Sequence, residues 1–128
     1  MPEKSVVRTE NAPAPFQGAP YSQGIKAGDY VFVSGQVGLE PGDTEFKDGI
    51  TEQTEQIFRN IAAILEEAGS GLDRLVKTTV FLVDLGEFQA MNEVYAKHVG
   101  DVPPARSTVE ISALPPGARV EIEAVALL

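Results

Sequence analysis

Val102-Pro103-Pro104-Ala105-Arg106-Ser107-Thr108-Val109-Glu110-Ile111-Ser112-Ala113-Leu114-Pro115-Pro116-Gly117-Ala118-Arg119-Val120-Glu121-Ile122 holds two β-like runs parted by a break. The break is Leu114 to Ala118, where two prolines and a glycine interrupt any regular period and force a turn or loop. In the first run, Ala105, Ser107, Val109 and Ile111 point one way, and Arg106, Thr108 and Glu110 the other. The second run extends from Val120 to Leu128. There Val120, Ile122, Ala124 and Ala126 share a face opposite Glu121, Glu123, Val125 and Leu127. Arg106 and Glu121 thus interrupt two β-like runs near their starts, and the reading places those runs as neighbouring strands. Pro103 and Pro104 fix the backbone just ahead of Arg106 and set its direction.

Upstream, the chain alternates between strands and helices. Ser5 to Thr9 reads as a short strand, and Asn11 to Pro20 as a Pro/Ala/Gly loop. Tyr21 to Ala27 and Tyr30 to Ser34 read as strands joined at Gly28-Asp29, with Ser34-Gly35 marking a close backbone approach. Gly38 to Gly49 is a polar loop. Thr51 to Ala68 is the clearest helix: Ile57, Ile61, Ile64, Leu65 and Ala68 form an apolar stripe, with Asp48 or Thr51 as cap and Gly69 at the left-handed end. Its glutamates read as a solvated face.

Leu75 to Val83 is apolar on both sides and suits a central strand. Asp84 to Glu87 resembles a capping box before a second helix running to about Val99. Phe88, Met91, Tyr95 and Val99 make the stripe of that helix, and Asn92 falls beside Phe88 and Tyr95. An amide there fits either a buried group satisfied by backbone or one that faces a ligand. His98, before Gly100, reads as a helix-end residue. The order β-β-β-α-β-α-β-β predicts one α+β domain over residues 1–128, a mixed sheet with two helices packed on one face.

Composition narrows the function. A chain of 128 residues supports a core of its own. It has no cysteine and one histidine, so no disulfide, thiolate nucleophile or multi-histidine metal site is expected. The net charge of −9 argues against gripping phosphate backbones, and no nucleic-acid partner is expected. Met1 to Ser5 has no apolar segment of the secretory kind, and no apolar run reaches membrane-spanning length. A soluble cytoplasmic protein without a membrane partner is the expectation.

An arginine on a fixed backbone suits a carboxylate, because guanidinium is a planar, permanently charged fork. A surface salt bridge is the plainer reading of Arg106. Glu121 can accept a proton from water or donate one to a leaving amine; the plainer readings are an edge-strand charge or a partner for Arg119. Glu123, on the same face, competes for the role.

Five pieces of this chain, in order, resemble the signature of the RidA family (YjgF/YER057c/UK114). They are Asn11-Ala12-Pro13; Gly18-Ala19-Pro20-Tyr21-Ser22-Gln23-Gly24; Ser34-Gly35-Gln36; Val76-Lys77-Thr78-Thr79-Val80-Phe81; and Pro104 to Ile122. The resemblance implies a chorismate-mutase-like (YjgF-like) fold, assembled as a homotrimer with a central barrel and intersubunit sites. The implied activity is hydrolysis of 2-imino and enamino acids, such as 2-aminoacrylate, 2-iminopropanoate and 2-iminobutanoate, to 2-oxo acids and ammonia. This is a metabolite damage-control role that needs no cofactor and no metal. Arg106 would hold the carboxylate and Glu121 would position or activate water. Tyr21, Ser34, Gly35, Asn92 and Thr108 would line the substrate pocket, with Thr108 where many relatives carry cysteine. A non-catalytic binding or chaperone-like trimer, an endoribonuclease and a chorismate-mutase-type enzyme are the competing classes.

Overall fold

The computed structural model describes residues 2–128. Six strands form one sheet: β1 (Lys4–Val7), β2 (Gly24–Ala27), β3 (Tyr30–Val37), β4 (Leu75–Leu82), β5 (Ala105–Glu110) and β6 (Val120–Leu127), in the order β1-β2-β3-β6-β4-β5. The first three make an antiparallel meander. β6 then inserts between β3 and β4, antiparallel to both. β4 and β5 run parallel, joined through the second helix as a crossover connection requires. The sheet is therefore mixed.

β4 lies between β5 and β6, which corrects their expected adjacency. Sequence alternation states which residues share a face of a strand, and it carries no information about which strand lies alongside. The parallel crossover through a helix settled the order here.

Helix α1 (Gly49–Ala68) begins two residues earlier than its stripe suggests, after Asp48, whose side chain makes no capping bond. It ends at Gly69, where φ 86° and ψ 21° place the residue in the left-handed region that a glycine adopts without penalty. Ile57, Phe58, Ile61, Ile64 and Leu65 are fully buried. They pack onto Val31, Val33, Ile122, Ala124 and Ala126 from the strands beneath. Each such aliphatic side chain contributes about 1.5–3 kcal/mol through burial. Gly38 lets α1 approach the end of β3, since a Cβ there would lie 2.6 Å from the Gln53 Cα.

Three buried amides interrupt the α1 stripe, and each is satisfied. Gln53 donates to the carbonyls of Lys47 and Gly117 and accepts from the Arg119 N–H. Asn60 donates to the carbonyls of Val37 and Leu39 and accepts from Gln56. These bonds fix the exit of β3 and the entry to β6, the two ends that flank Glu121.

Helix α2 (Phe88–Ala96) stops short of the expected Val99. Asp84 accepts from the Gly86 N–H and opens a short 3-10 turn, Leu85–Glu87, ahead of it. Glu87 pairs with Arg119 at 2.7 Å instead of closing a capping box, which also takes Arg119 away from Glu121. His98 ends this region stacked on Phe58, its Nε2 3.0 Å from Glu55.

Both helices cover the same face of the sheet. On the other face, Val6, Ile25, Phe32, Val125 and Lys77 follow one another across five strands, and Tyr30 stands opposite Leu127. Val6, Tyr30, Phe32, Val109 and Leu127 are exposed there. No helix among the described residues is long and apolar enough to cross a membrane.

Candidate functional site

The residues singled out from the sequence fall into two groups on opposite faces of the sheet. The first group belongs to the helix-covered face at its free edge. Arg106 pairs in register with Thr78 of β4, a buried residue whose hydroxyl lies 2.6 Å from the Tyr95 hydroxyl of α2. The Arg106 guanidinium accordingly sits over the rings of α2, with its carbon 4.7 Å from the centre of Tyr95 and 5.5 Å from that of Phe88. Such a cation–ring contact orients the fork while leaving its N–H edges free. Among the described residues no carboxylate pairs with it. Thr108 is two residues along the same edge strand, on the same face, opposite Val80.

Asn92 lies between Phe88 and Tyr95 in sequence on α2. Its Oδ1 is buried and has no hydrogen-bond partner among the described residues. An unsatisfied buried acceptor of this kind costs about 1–3 kcal/mol, and it is what a ligand N–H would relieve.

The second group lines a recess of about 380 Å³ on the open face: Tyr21, Ser34, Gly35, Glu121 and Glu123. The β3–β6 pairing slips between Val33 and Gln36, so Ser34 and Gly35 form a bulge. Ser34 is tied down through its N–H to the Gln23 carbonyl at 2.9 Å and through its hydroxyl to the Ser22 carbonyl at 2.5 Å. Gly35 is needed here for space: a Cβ would lie 2.7 Å from the Glu121 carboxyl carbon. The missing side chain is the room in which that carboxyl sits. Burial pushes the Glu121 carboxyl above its ordinary range, and the neighbouring Glu123 carboxylate pushes it the same way. The carboxyl is thereby brought toward the pH range in which it can both take and return a proton.

One chain does not bring Arg106 and Glu121 together. Their register partners on β4 are Thr78 and Phe81, on opposite faces. Two strand spacings sideways and three residues lengthwise separate their backbones by roughly 14 Å. Sequence reasoning missed Phe88 and Tyr95 as the platform beneath Arg106, taking them for core alone. The available signal was a tyrosine hydroxyl on an apolar stripe, which needs a buried partner and finds Thr78.

Comparisons with known proteins agree over almost the full length. A family model described as endoribonuclease L-PSP matches residues 9–128. The RutC family protein PH0854 of Pyrococcus horikoshii is 49% identical over 124 residues, covering 96% of this chain and 97% of that one. The 2-iminobutanoate/2-iminopropanoate deaminase of Mus musculus is 39% identical over 125 residues, covering 97% and 91%. Among solved structures, RidA from the Antarctic bacterium Psychrobacter sp. PAMC 21119 superposes with a TM-score of 0.91 at 41% identity, covering 97% of this chain and 99% of that one. E. coli TdcF with bound serine does so at 0.88 and 34%, covering 97% and 98%. The fold superposes on these structures over nearly its full length, and the chain belongs to the RidA (YjgF/YER057c/UK114) family.

Proposed function

We propose that this protein hydrolyses 2-imino and 2-enamino acids to 2-oxo acids and ammonia, in sites completed between subunits of a homotrimer. The observation that carries the reading is the division of the site. An unpaired arginine and an orphaned amide oxygen lie at the sheet edge, and a carboxyl with raised proton affinity lies in a recess on the opposite face. Each half lacks what the other has. The exposed apolar rows around the recess are the surface a second copy would cover.

In the assembled site, Arg106 takes the substrate carboxylate as a bidentate fork held over the Tyr95 ring. Asn92 Oδ1 accepts from the imine N–H. From the adjacent subunit, Glu121 removes a proton from water as the oxygen attacks the electrophilic C=N carbon. The carboxyl passes that proton to the nitrogen, giving a neutral carbinolamine. The same carboxylate then takes the carbinolamine O–H proton and delivers it to the amine, so that the C=O forms as the C–N bond breaks and ammonia leaves. Tyr21, Ser34 and Gly35 wall the recess in which the water is held, and Thr108 offers a hydroxyl beside Arg106. The carbon is already electrophilic, so orientation and one proton shuttle account for a useful acceleration. The mouse deaminase at 39% identity and the serine-bound TdcF support a small ligand with an α-carboxylate.

The description of the family model favours RNA cleavage as a second reading. A net charge of −9 opposes it on electrostatic grounds. The deciding experiment supplies a pyridoxal-dependent threonine dehydratase, adds this protein, and follows the rate at which free 2-iminobutanoate disappears, with labelled RNA incubated in parallel. Saturable acceleration of imine loss supports the deaminase. Imine decay at the buffer rate together with RNA cleavage would replace it.

A further inference from the structure

The loop between β1 and β2 is stiff and strained at one point. Pro13, Pro15 and Pro20 restrict it, and the Gln23 amide holds its start by donating to the carbonyls of Ala12 and Pro13 at 3.1 and 2.8 Å. Within it, Phe16–Gly18 forms a single 3-10 turn in which Gln17 has φ 53° and ψ 31°. It is the one non-glycine residue at positive φ among the described residues. Strain of this kind persists only where the surroundings hold it, and it gathers at sites that need a fixed geometry.

What the turn holds is Tyr21. The first N–H of a helical turn has no partner within the turn, and that of Phe16 donates to the Tyr21 phenol oxygen at 2.6 Å. A tyrosine hydroxyl has one proton to give. With its oxygen already accepting from backbone, that proton is turned away from the loop. Among the described residues no protein group accepts it. The Tyr21 side chain is 44% exposed and lines the same recess as Glu121, so without the Phe16 bond its hydroxyl would be free to turn.

We propose that Phe16 is a positioning residue of this site: its backbone N–H fixes the Tyr21 hydroxyl as a hydrogen-bond donor into the recess that holds Glu121. The proposal deepens the deaminase reading and rests on it for its kinetic arm. The occupant of the recess would be an acceptor atom of the substrate or its carbinolamine.

The local backbone permits a direct test. Pro15 has φ −49° and ψ 132°, the extended conformation that a following proline requires. Proline is also tolerated at the first position of a helical turn. Phe16→Pro therefore deletes the N–H with the turn kept, whereas Phe16→Ala deletes only the ring. The kinetic arm compares kcat/KM for 2-iminobutanoate in these two variants, each alone and combined with Tyr21→Phe, with thermal unfolding as a folding control. Loss of one neutral hydrogen bond should make Phe16→Pro about fivefold slower than Phe16→Ala. That difference should vanish when Tyr21→Phe is present. A difference that persists without the hydroxyl means a merely structural turn and overturns the proposal, as does no difference at all.

The second arm needs no turnover. In protein with 13C-labelled tyrosine rings, Phe16→Pro should shift the Tyr21 ring resonances well beyond their position in Phe16→Ala and leave those of Tyr30 and Tyr95 in place. If wild type hydrolyses no imine, the deaminase reading falls. The ring resonances then decide alone, and a Tyr21 resonance at the same position in both variants refutes the bond's positioning effect.

Discussion

Arg106 and Glu121 project from opposite faces of one sheet, on strands that flank β4 from either side. Neither reaches the other within a chain, so a site that uses both must be shared. This yields a complementation experiment. Arg106→Ala and Glu121→Gln should each be nearly inactive alone. Co-refolded in equal amounts, they should regain roughly a quarter of wild-type activity, because a cyclic trimer built at random pairs an intact Arg106 with an intact Glu121 at one site in four. Sedimentation should show a trimer for both variants and for the mixture. A stable monomer at micromolar concentration, or a mixture no more active than its parts, contradicts the shared site.

Glu121 should cost stability in exchange for its chemistry. Burial, then the Glu123 charge, raises its folded-state affinity for a proton above that in the unfolded chain. The sign follows from linkage: its contribution is fully present below the ordinary 4.5 and is lost as pH rises through the higher folded value. Glu121→Gln stays neutral throughout. The variant should therefore gain on wild type in thermal unfolding as pH goes from 4 to 8, while its turnover at pH 7 falls. A difference in melting temperature that stays constant over that range would show that the carboxyl is not perturbed. Wild-type turnover in the variant would move the base role to Glu123.

Gly35 should be intolerant of a single methyl group. Its φ lies outside the left-handed region, so Gly35→Ala is permitted by the backbone. The new Cβ would nonetheless occupy the space of the Glu121 carboxyl. Displacing a reacting group by about 1 Å costs up to about a hundredfold in rate. The variant should keep its circular dichroism spectrum and lose at least tenfold in kcat, on that same argument. Full activity would mean that the carboxyl can be held elsewhere and that the fit with Gly35 is incidental.

Asn92 separates activity from stability in the other direction. Its buried Oδ1 has no partner to lose, so Asn92→Ala removes an unsatisfied group along with some packing. The unfolding midpoint should change little and turnover should drop by about tenfold, the worth of one hydrogen bond of about 1.4 kcal/mol. A fall in midpoint with unchanged activity per folded molecule would make Asn92 a packing residue.

Much of this arrangement is legible in the sequence because it is local. The α1 stripe, the Gly69 stop and the two-face alternation of Val120 to Leu128 follow from short-range periodicity, and each appears with its expected faces buried. Ser34-Gly35 announces a close approach, and the carboxyl of Glu121 is what approaches. What stays hidden depends on distant pairing. The insertion of β6 between β3 and β4 is set by contacts far apart in the chain, and no local pattern encodes it. The amides Gln53 and Asn60 look like breaks in an apolar stripe until the carbonyls of Gly117, Val37 and Leu39 are placed against them. The expected Arg119–Glu121 alternative fails for the same reason, since Glu87, remote in sequence, takes the arginine.

Arg106 carries the sharpest prediction. Its guanidinium carbon lies 4.7 Å from the centre of the Tyr95 ring, and among the described residues it has no carboxylate partner, so little of the fold depends on it. Arg106→Ala should fold, trimerise and melt within about 1 kcal/mol of wild type, the loss expected for an exposed cation–ring contact. Its turnover of freshly generated 2-iminobutanoate should fall far more. A charge-assisted hydrogen bond is worth about 1.5–3 kcal/mol, and a bidentate clamp supplies two along with the substrate's orientation. Arg106→Lys tests the shape of the cation separately from its charge. An ammonium keeps the charge but neither stacks flat on Tyr95 nor offers parallel N–H donors, so activity should stay close to that of the alanine variant. Steady-state kinetics of the three proteins, with circular dichroism and sedimentation as controls, read the result directly. Substantial recovery in Arg106→Lys would leave a point charge steering the substrate in place of a fork. Wild-type turnover in Arg106→Ala would remove the arginine from the chemistry altogether.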